Sequence, residues 1–274
     1  MAMGDVEKKE VTNKKQFTIN GVTIYRILAY FVIYSVLGYV LETLFALIMY
    51  GKLESRQGFL YGPVCPIYGL GAAVMIVALQ KFKKNGYTLF LGGIVVGSIV
   101  EYFISWFGEI FLNVRWWDYS ENFLNINGRV CLLYSIYWGI IAIYLMKSLN
   151  PNIDKLIDYF RKKINIKVGR ILVIIATIFL FIDCIISAFA IEIFLSRTVM
   201  EKNLPAQNKS WYVAIYQSQL ENKDKKEFIE KIWSNKKVLR TYPNLRLTLE
   251  DGTVIYVKDY YPEIQPYYYK FRDK

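Results

Sequence analysis

The sequence predicts an all-α integral membrane protein with five transmembrane helices and a small α+β C-terminal tail. Three observations carry that prediction. The 274-residue chain is 54% apolar and 17% aromatic, with a mean hydropathy of +0.24. Its polar residues collect in short loops and one tail, where a soluble domain would alternate polar and apolar segments throughout. Five apolar runs reach the length that crosses a hydrocarbon core, about 20 residues at 1.5 Å each for roughly 30 Å.

Residues 1–24 form a polar segment. The apolar runs follow at Tyr25–Tyr50, Phe59–Gln80, Thr88–Leu112, Val130–Lys147 and Gly169–Leu195, giving a membrane domain over 25–197. The first run is too long, and too far from a small-residue cleavage site, for a signal peptide. Between the fourth and fifth runs, NPNIDKLIDYFRKKINIK opens with Asn-Pro. It predicts a short amphipathic basic helix on the inner leaflet, with Ile153, Leu156, Ile157 and Phe160 on one stripe. Residues 198–274 form a small outer region. Within it Lys223–Trp233 reads as a polar helix. Leu245–Leu249 and Thr253–Val257 read as a β-hairpin turning at Asp251-Gly252.

Charge sets the orientation. Lys14, Lys15, Arg26, Lys81, Lys83, Lys84, Lys147, Lys155, Arg161, Lys162, Lys163, Lys167 and Arg170 flank one side. Lys52, Arg56, Arg115, Arg129, Arg197, Lys202 and Lys209 flank the other. Thirteen against seven puts the N-terminus in the cytoplasm and, after five crossings, the tail outside. The formal charge of +11 is spread along segment ends and forms no interleaved basic patch, so no nucleic acid is expected as a partner. The chain has no histidine, which excludes a histidine metal site or histidine base. No metal, cofactor or catalytic residue is expected. Cys65, Cys131 and Cys184 read as buried thiols, and a Cys65–Cys131 disulfide is open.

Glu42, Glu101 and Asp183 lie inside the apolar runs. An acid at the centre of a spanning helix costs roughly 2.5–3.5 kcal/mol on insertion scales, so it usually faces a bundle interior or wet cavity. Small and polar residues share their helix faces: Ser35, Gly38 and Ala46 with Glu42; Gly93, Gly97, Ser105 and Glu109 with Glu101; Ala176, Ser187 and Ala190 with Asp183. Close packing accounts for the glycines and alanines, but a small apolar residue would pack at lower cost than an acid. The three acids are therefore the expected substrate or ion pathway. Glu109 and Glu192 are expected near the outer surface, in reach of water. Two outer loops supply an expected mouth of Arg56, Tyr61, Trp117, Asp118, Tyr119, Asn127 and Arg129, with Arg129 pairing Asp118 or a deep acid. Pro63 and Pro66 predict irregular backbone at the second helix's entry, tolerated at depth only when covered or lining a cavity.

Those loops also carry a resemblance. G-F-L-Y-G-P-x-C-P-I-Y-G at Gly58–Gly69, and W-D-Y-S with F-x-N-I-x-G-R over Trp117–Arg129, resemble a bacterial membrane family labelled putative ABC-transporter type IV (CmpB-like) permeases. G-Y-V-L-E-T around Glu42 and F-I-D-C-I-I-S-A around Asp183 are similar to it, over about residues 25–197. The resemblance implies a permease-like subunit in the bacterial cytoplasmic membrane, with the bilayer, a separate ATP-binding cassette subunit and further copies of itself as partners. The chain has no G-x-x-x-x-G-K-[ST] motif, so ATP hydrolysis would come from another chain. Two alternatives stand beside transport of a small solute or ion. One is a membrane regulatory or assembly protein; the other is a membrane enzyme acting on an anionic lipid headgroup.

Overall fold

A computed structural model describes residues 17–264 except 52, 113, 221 and 222. Lys14, Lys15 and Lys52 of the charge count, most of the 1–24 segment and the last ten residues of the tail lie outside the described residues. The described chain opens on a hairpin, β1 (Thr18–Ile19) and β2 (Val22–Thr23), turned at Asn20-Gly21, both with positive φ. That dipeptide suits the two left-handed positions of a tight hairpin turn. Helix α1 (Ile24–Tyr50) follows, capped by the Thr23 side chain and closed at Gly51 with φ +61.

Among the described residues, four helices are long and apolar enough to cross a membrane: α1, α3 (Gly86–Leu112), the continuous helix Leu132–Lys163, and α6 (Ile166–Glu201). The second expected span is shorter. Helix α2 runs Pro66–Leu79 and ends in a 3-10 turn, Gln80–Phe82. Its expected first turns from Phe59 are irregular backbone, with Gly62 at φ +83 and prolines at 63 and 66. Proline lacks the donor that an internal helical position needs, but suits the first helical position, where Pro66 stands.

The Asn150-Pro151 break is not a break. Helix α4 (Leu132–Tyr144) passes through a π-turn, Leu145–Leu149, into α5 (Asn150–Lys163). A π-turn widens the hydrogen-bond ring and re-phases the helix without ending it. Helix α5 then packs along the first half of α1 instead of lying apart on the leaflet. Tyr34 donates to Asn150 (3.2 Å), Tyr30 to Asp154 (2.5 Å), and Arg26 pairs with Asp154 and with Asp158 (2.8 Å). Partners step by four in opposite directions, so the two helices are antiparallel.

The remaining contacts give the bundle two ends. Asn20 donates to Val77 O at the foot of α1, while Cys65 N donates to Ser35 O partway up it, so α2 runs antiparallel to α1. Gly93 and Gly97 of α3 lie against Ala142 and Trp138 of α4. A Cβ on Gly93 would come within 2.4 Å of Ala142 Cβ, so the glycine sets that approach. Tyr25 meets Gly169, which places the starts of α1 and α6 together. The hairpin end therefore gathers β1–β2, the α2–α3 turn and α5. The tail end gathers the loops 51–65 and 113–131 and the C-terminal region.

That region holds α7 (Lys209–Leu220), α8 (Lys223–Ile232), α9 (Asn235–Thr241) and the hairpin β3 (Arg246–Thr248)–β4 (Val254–Tyr256), with Gly252 at φ +83 in the turn. Its apolar core is shared with α6. Phe194, Leu195 and Val199 pack with Tyr212, Val238, Leu247 and Val257, and Leu60 and Val114 from the loops join them. The expected boundary at 197/198 falls inside α6. Tail, loops and helix end bury one core, which lets a region this thin stay folded.

Candidate functional site

Measured along their own helices, Glu42, Glu101 and Asp183 lie about 22–27 Å from the first residues of α1, α3 and α6, at 1.5 Å per residue. Their burial differs. Asp183 is 1% exposed and Glu101 6%, whereas Glu42 is half-buried. Among the described residues none of the three forms a salt bridge. Each instead accepts hydrogen bonds from neutral donors.

Glu101 accepts from Tyr119 Oη (3.1 Å) on one oxygen and from Trp138 Nε1 (3.0 Å) on the other. Tyr119 comes from the 113–131 loop and Trp138 from α4, so three elements meet at one carboxylate. Burial, then the nearby Glu101 carboxylate, push the Tyr119 hydroxyl well above the ordinary tyrosine value, which keeps it a donor. Tyr119 stacks on Tyr134 (4.5 Å between centroids, 15°) and more loosely on Trp117 (6.3 Å).

Glu42 accepts from the Tyr68 hydroxyl. Tyr68 is carried by α2, which sits close on α1 because Gly38 lies under its ring and Gly69 lies on Phe31 O. Glu42 and Glu101 thus each end on one tyrosine hydroxyl, Tyr68 of α2 and Tyr119 of the 113–131 loop. The Ser105 hydroxyl, one turn beyond Glu101, is buried without a described hydrogen-bond partner.

Asp183 is placed differently. Its two oxygens accept from the backbone N–H of Tyr61 (3.1 and 3.3 Å), and Ser187 Oγ donates to it (3.1 Å). Ser187 Oγ in turn accepts from the N–H of Leu60 (2.7 Å). Asp183 and Ser187, one turn apart on α6, thereby satisfy two backbone donors of the irregular 51–65 segment, which has descended between the helices. Backbone without regular partners survives at that depth only when protein supplies acceptors.

The expected mouth residues divide between two clusters. Arg129 pairs with Glu109 (2.5 Å) rather than with Asp118. Glu109 also takes Arg115 (2.9 Å), which reaches Asp118 (3.4 Å). Asp118 is buried enough to be pushed up, but the Ser120 hydroxyl and amide and Arg115 together hold it below the usual carboxylate range. Asn127 donates to Tyr102 Oη (2.9 Å), and Trp117 Nε1 donates to Arg129 O (2.9 Å). In the other cluster Arg56 pairs with Glu54 (2.6 Å), and Tyr61 lies under the Lys237 ammonium of α9 (4.7 Å to its centroid). Glu192, expected to reach water, is buried beneath α7 and accepts from Trp211 Nε1 (2.9 Å).

Some of this network carried no readable sequence signal. The Arg26–Asp154–Asp158 ladder joins residues more than a hundred positions apart, and nothing local marks it. Trp138 lies one turn after Ser135, whose hydroxyl bonds Ser98 of α3 (2.7 Å), on the face of α4 that meets α3. Cys65, Cys131 and Cys184 are free thiols, but of the three expected buried only Cys131 is; Cys65 is half-buried and Cys184 is exposed on α6. Among the described residues no group of three or more His, Cys, Asp or Glu could hold a metal ion.

Among the described residues, four spanning-length apolar helices, with carboxylates inside them and irregular backbone packed at depth, define a polytopic membrane protein. The chain belongs to the family described as Putative ABC-transporter type IV, which matches residues 29–188, more than half its length. That is a family of transporter membrane components rather than of enzymes. The match covers α1 through most of α6 and both loops, and stops before the tail. No curated protein and no solved structure matches the chain.

Proposed function

We propose that this chain is the membrane subunit of a transporter, passing a small cation or proton-coupled solute between Glu42 and Glu101. One observation carries the reading: two carboxylates inside the helices each accept from a tyrosine hydroxyl, and neither has a described cationic partner. A carboxylate held only by neutral donors can keep, lose or exchange a proton or cation without breaking an ion pair. Asp183 belongs to the same route as the residue that holds the 51–65 segment against α6. That segment crosses the tail-side half of the layer and α2 the other half, which makes five crossings in all. The basic excess then puts the hairpin end in the cytoplasm and the tail outside, in a bacterial cytoplasmic membrane. An ATP-binding cassette subunit would dock at the hairpin end, and further copies of the chain would complete the path.

The test uses full-length protein in sealed vesicles with a trapped pH-sensitive dye and an imposed potassium gradient. Wild type should carry an inward proton or cation current, and Glu42→Gln and Glu101→Gln should abolish it while melting near wild type. The amide at 101 can still accept from Trp138 and donate to the Tyr119 oxygen, so folding should change by less than about 1 kcal/mol. Stable amide variants that retain full flux would refute the route.

A further inference from the structure

Two recesses lie end to end on one face of α3. The nearer the bilayer centre, of about 310 Å³, is walled by Ile99, Phe103, Ile126 and Val130 and is almost wholly apolar. The second, of about 350 Å³, is bounded by Trp106, Glu109, Arg129, Gln207 and Thr248, and is as polar as it is apolar. Ile99, Phe103, Trp106 and Ile110 recur at helical spacing on one stripe, so the recesses succeed one another along the axis within about 10 Å. All four are more than a third exposed, on a helix of spanning length, and so face the lipid. Arg129 marks the junction: its guanidinium lies over the Tyr102 ring at the groove (5.4 Å) and reaches Glu109 in the pocket. The strip Ile126–Val130, closed by Ile126 N to Val130 O (2.9 Å), fixes the groove's far wall.

We propose that this face binds one zwitterionic phospholipid of the phosphatidylethanolamine type, from the leaflet at the tail end. An acyl chain would fill the apolar groove and the headgroup the polar pocket, a sequence of environments that matches the depth profile of a lipid. The charges select the headgroup. Arg129 offers a donor fork for the phosphate, and Glu109 offers an acceptor for the ammonium. Glu109 is already held by Arg115 and Arg129, so a zwitterion can insert into the pair with both its charges answered, whereas an anionic headgroup would compete with Glu109 for the same arginines. Gln207 and Thr248 come from the tail, so the bound lipid would join the membrane helices to the C-terminal region. The proposal is independent of the transport route, since α3 presents Glu101 on its opposite, buried side.

Native mass spectrometry of the full-length protein, delipidated in mild detergent, tests this. The probes are synthetic phosphatidylethanolamine, phosphatidylglycerol and soluble glycerophosphoethanolamine. Wild type should retain one phosphatidylethanolamine about fivefold more strongly than phosphatidylglycerol, as one modest ion pair implies, and should not retain the soluble headgroup at equal concentration. Glu109→Gln should erase the preference. Ile99→Trp, at a half-exposed position where folding is not at stake, should fill the groove and weaken both lipids. Equal retention of the two lipids by wild type would overturn the proposal. So would equal binding of the soluble headgroup, which would mark a solute pocket, or unchanged lipid binding in Ile99→Trp.

Discussion

Asp183 offers the sharpest test of how the irregular segment is held. Replacing it removes a buried charge and an acceptor at once, and these act in opposite directions. Taking a carboxylate out of the bilayer interior is favourable by up to roughly 2.5–3.5 kcal/mol on insertion scales. Removing the acceptor strands the Tyr61 N–H, which has no water to turn to and costs about 1–3 kcal/mol. A comparison of two substitutions cancels the first effect. Asp183→Asn and Asp183→Ala both lose the charge, but only asparagine keeps an oxygen for the Tyr61 N–H now bonded at 3.1 Å. The alanine variant should therefore be the less stable of the two by about 1–3 kcal/mol. Ser187 softens the difference little, because its hydroxyl can turn to the helix backbone while still accepting from Leu60. The assay is thermal melting in detergent, paired with alkylation of Cys65, which ends the segment, in a chain where Cys184 is serine. Alanine should speed Cys65 alkylation and asparagine should not. If the two variants melt together and alkylate at the same rate, Asp183 does not anchor the segment.

Three further outcomes follow from particular contacts. Gly69→Ala would put a Cβ within 2.2 Å of Phe31 O and Ser35 Oγ, forcing α2 off α1 at a cost of about 1–3 kcal/mol. Gly71→Ala on the same helix meets nothing within 4 Å and should be neutral or stabilising by up to about 1 kcal/mol; equal melting points would show the α1–α2 approach is not tight. The folded Asp118 carboxyl lies below its unfolded value, so its contribution is present above the unfolded pKa and lost as pH falls through the folded one. Acid titration should then shift the emission of Trp116 and Trp117, and Asp118→Asn should remove that step; an unchanged profile in the variant would assign it elsewhere. A cysteine at Lys226, in an otherwise cysteine-free chain, should react with an impermeant maleimide in intact cells, and reaction only after lysis would reverse the orientation.

Where local chemistry decided the structure, it could be read. The tail hairpin follows from Asp251-Gly252 between alternating strands, and α8 from its polar amphipathic repeat. The same turn logic at Asn20-Gly21 marks β1–β2, and Ser234, whose hydroxyl accepts from Lys237 N, marks the start of α9. Hydropathy overran the second span because Phe59–Val64 is as apolar as a helix, while its glycines and prolines control the backbone. Asn-Pro at 150 misled for the opposite reason. Proline is tolerated in the first turn of α5, and the preceding π-turn absorbs the misfit, so tertiary packing on α1 overrode a local stop signal. The acids were legible from cost alone. Their partners were not, because Tyr61 and Tyr68, Tyr119, and Trp138 come from three different stretches of chain.

The partners change what the acids can mean. No lysine or arginine occurs within 27–51, 66–80, 86–112, 132–146 or 171–196, so the helix interiors contain carboxylates and no fixed cation. Cations appear only toward the ends, and there acids meet them. Arg26 meets Asp154 and Asp158 at one end, and Arg115 and Arg129 meet Glu109 at the other. A bundle built for stability alone would gain nothing from leaving Glu42 and Glu101 without counter-ions while pairing the acids at its ends. On the proposed reading, compensated ends and an uncompensated middle would draw a mobile positive charge toward the tyrosine-held carboxylates. That inversion of the usual economy of buried charge is the physical reason to look for transported charge there.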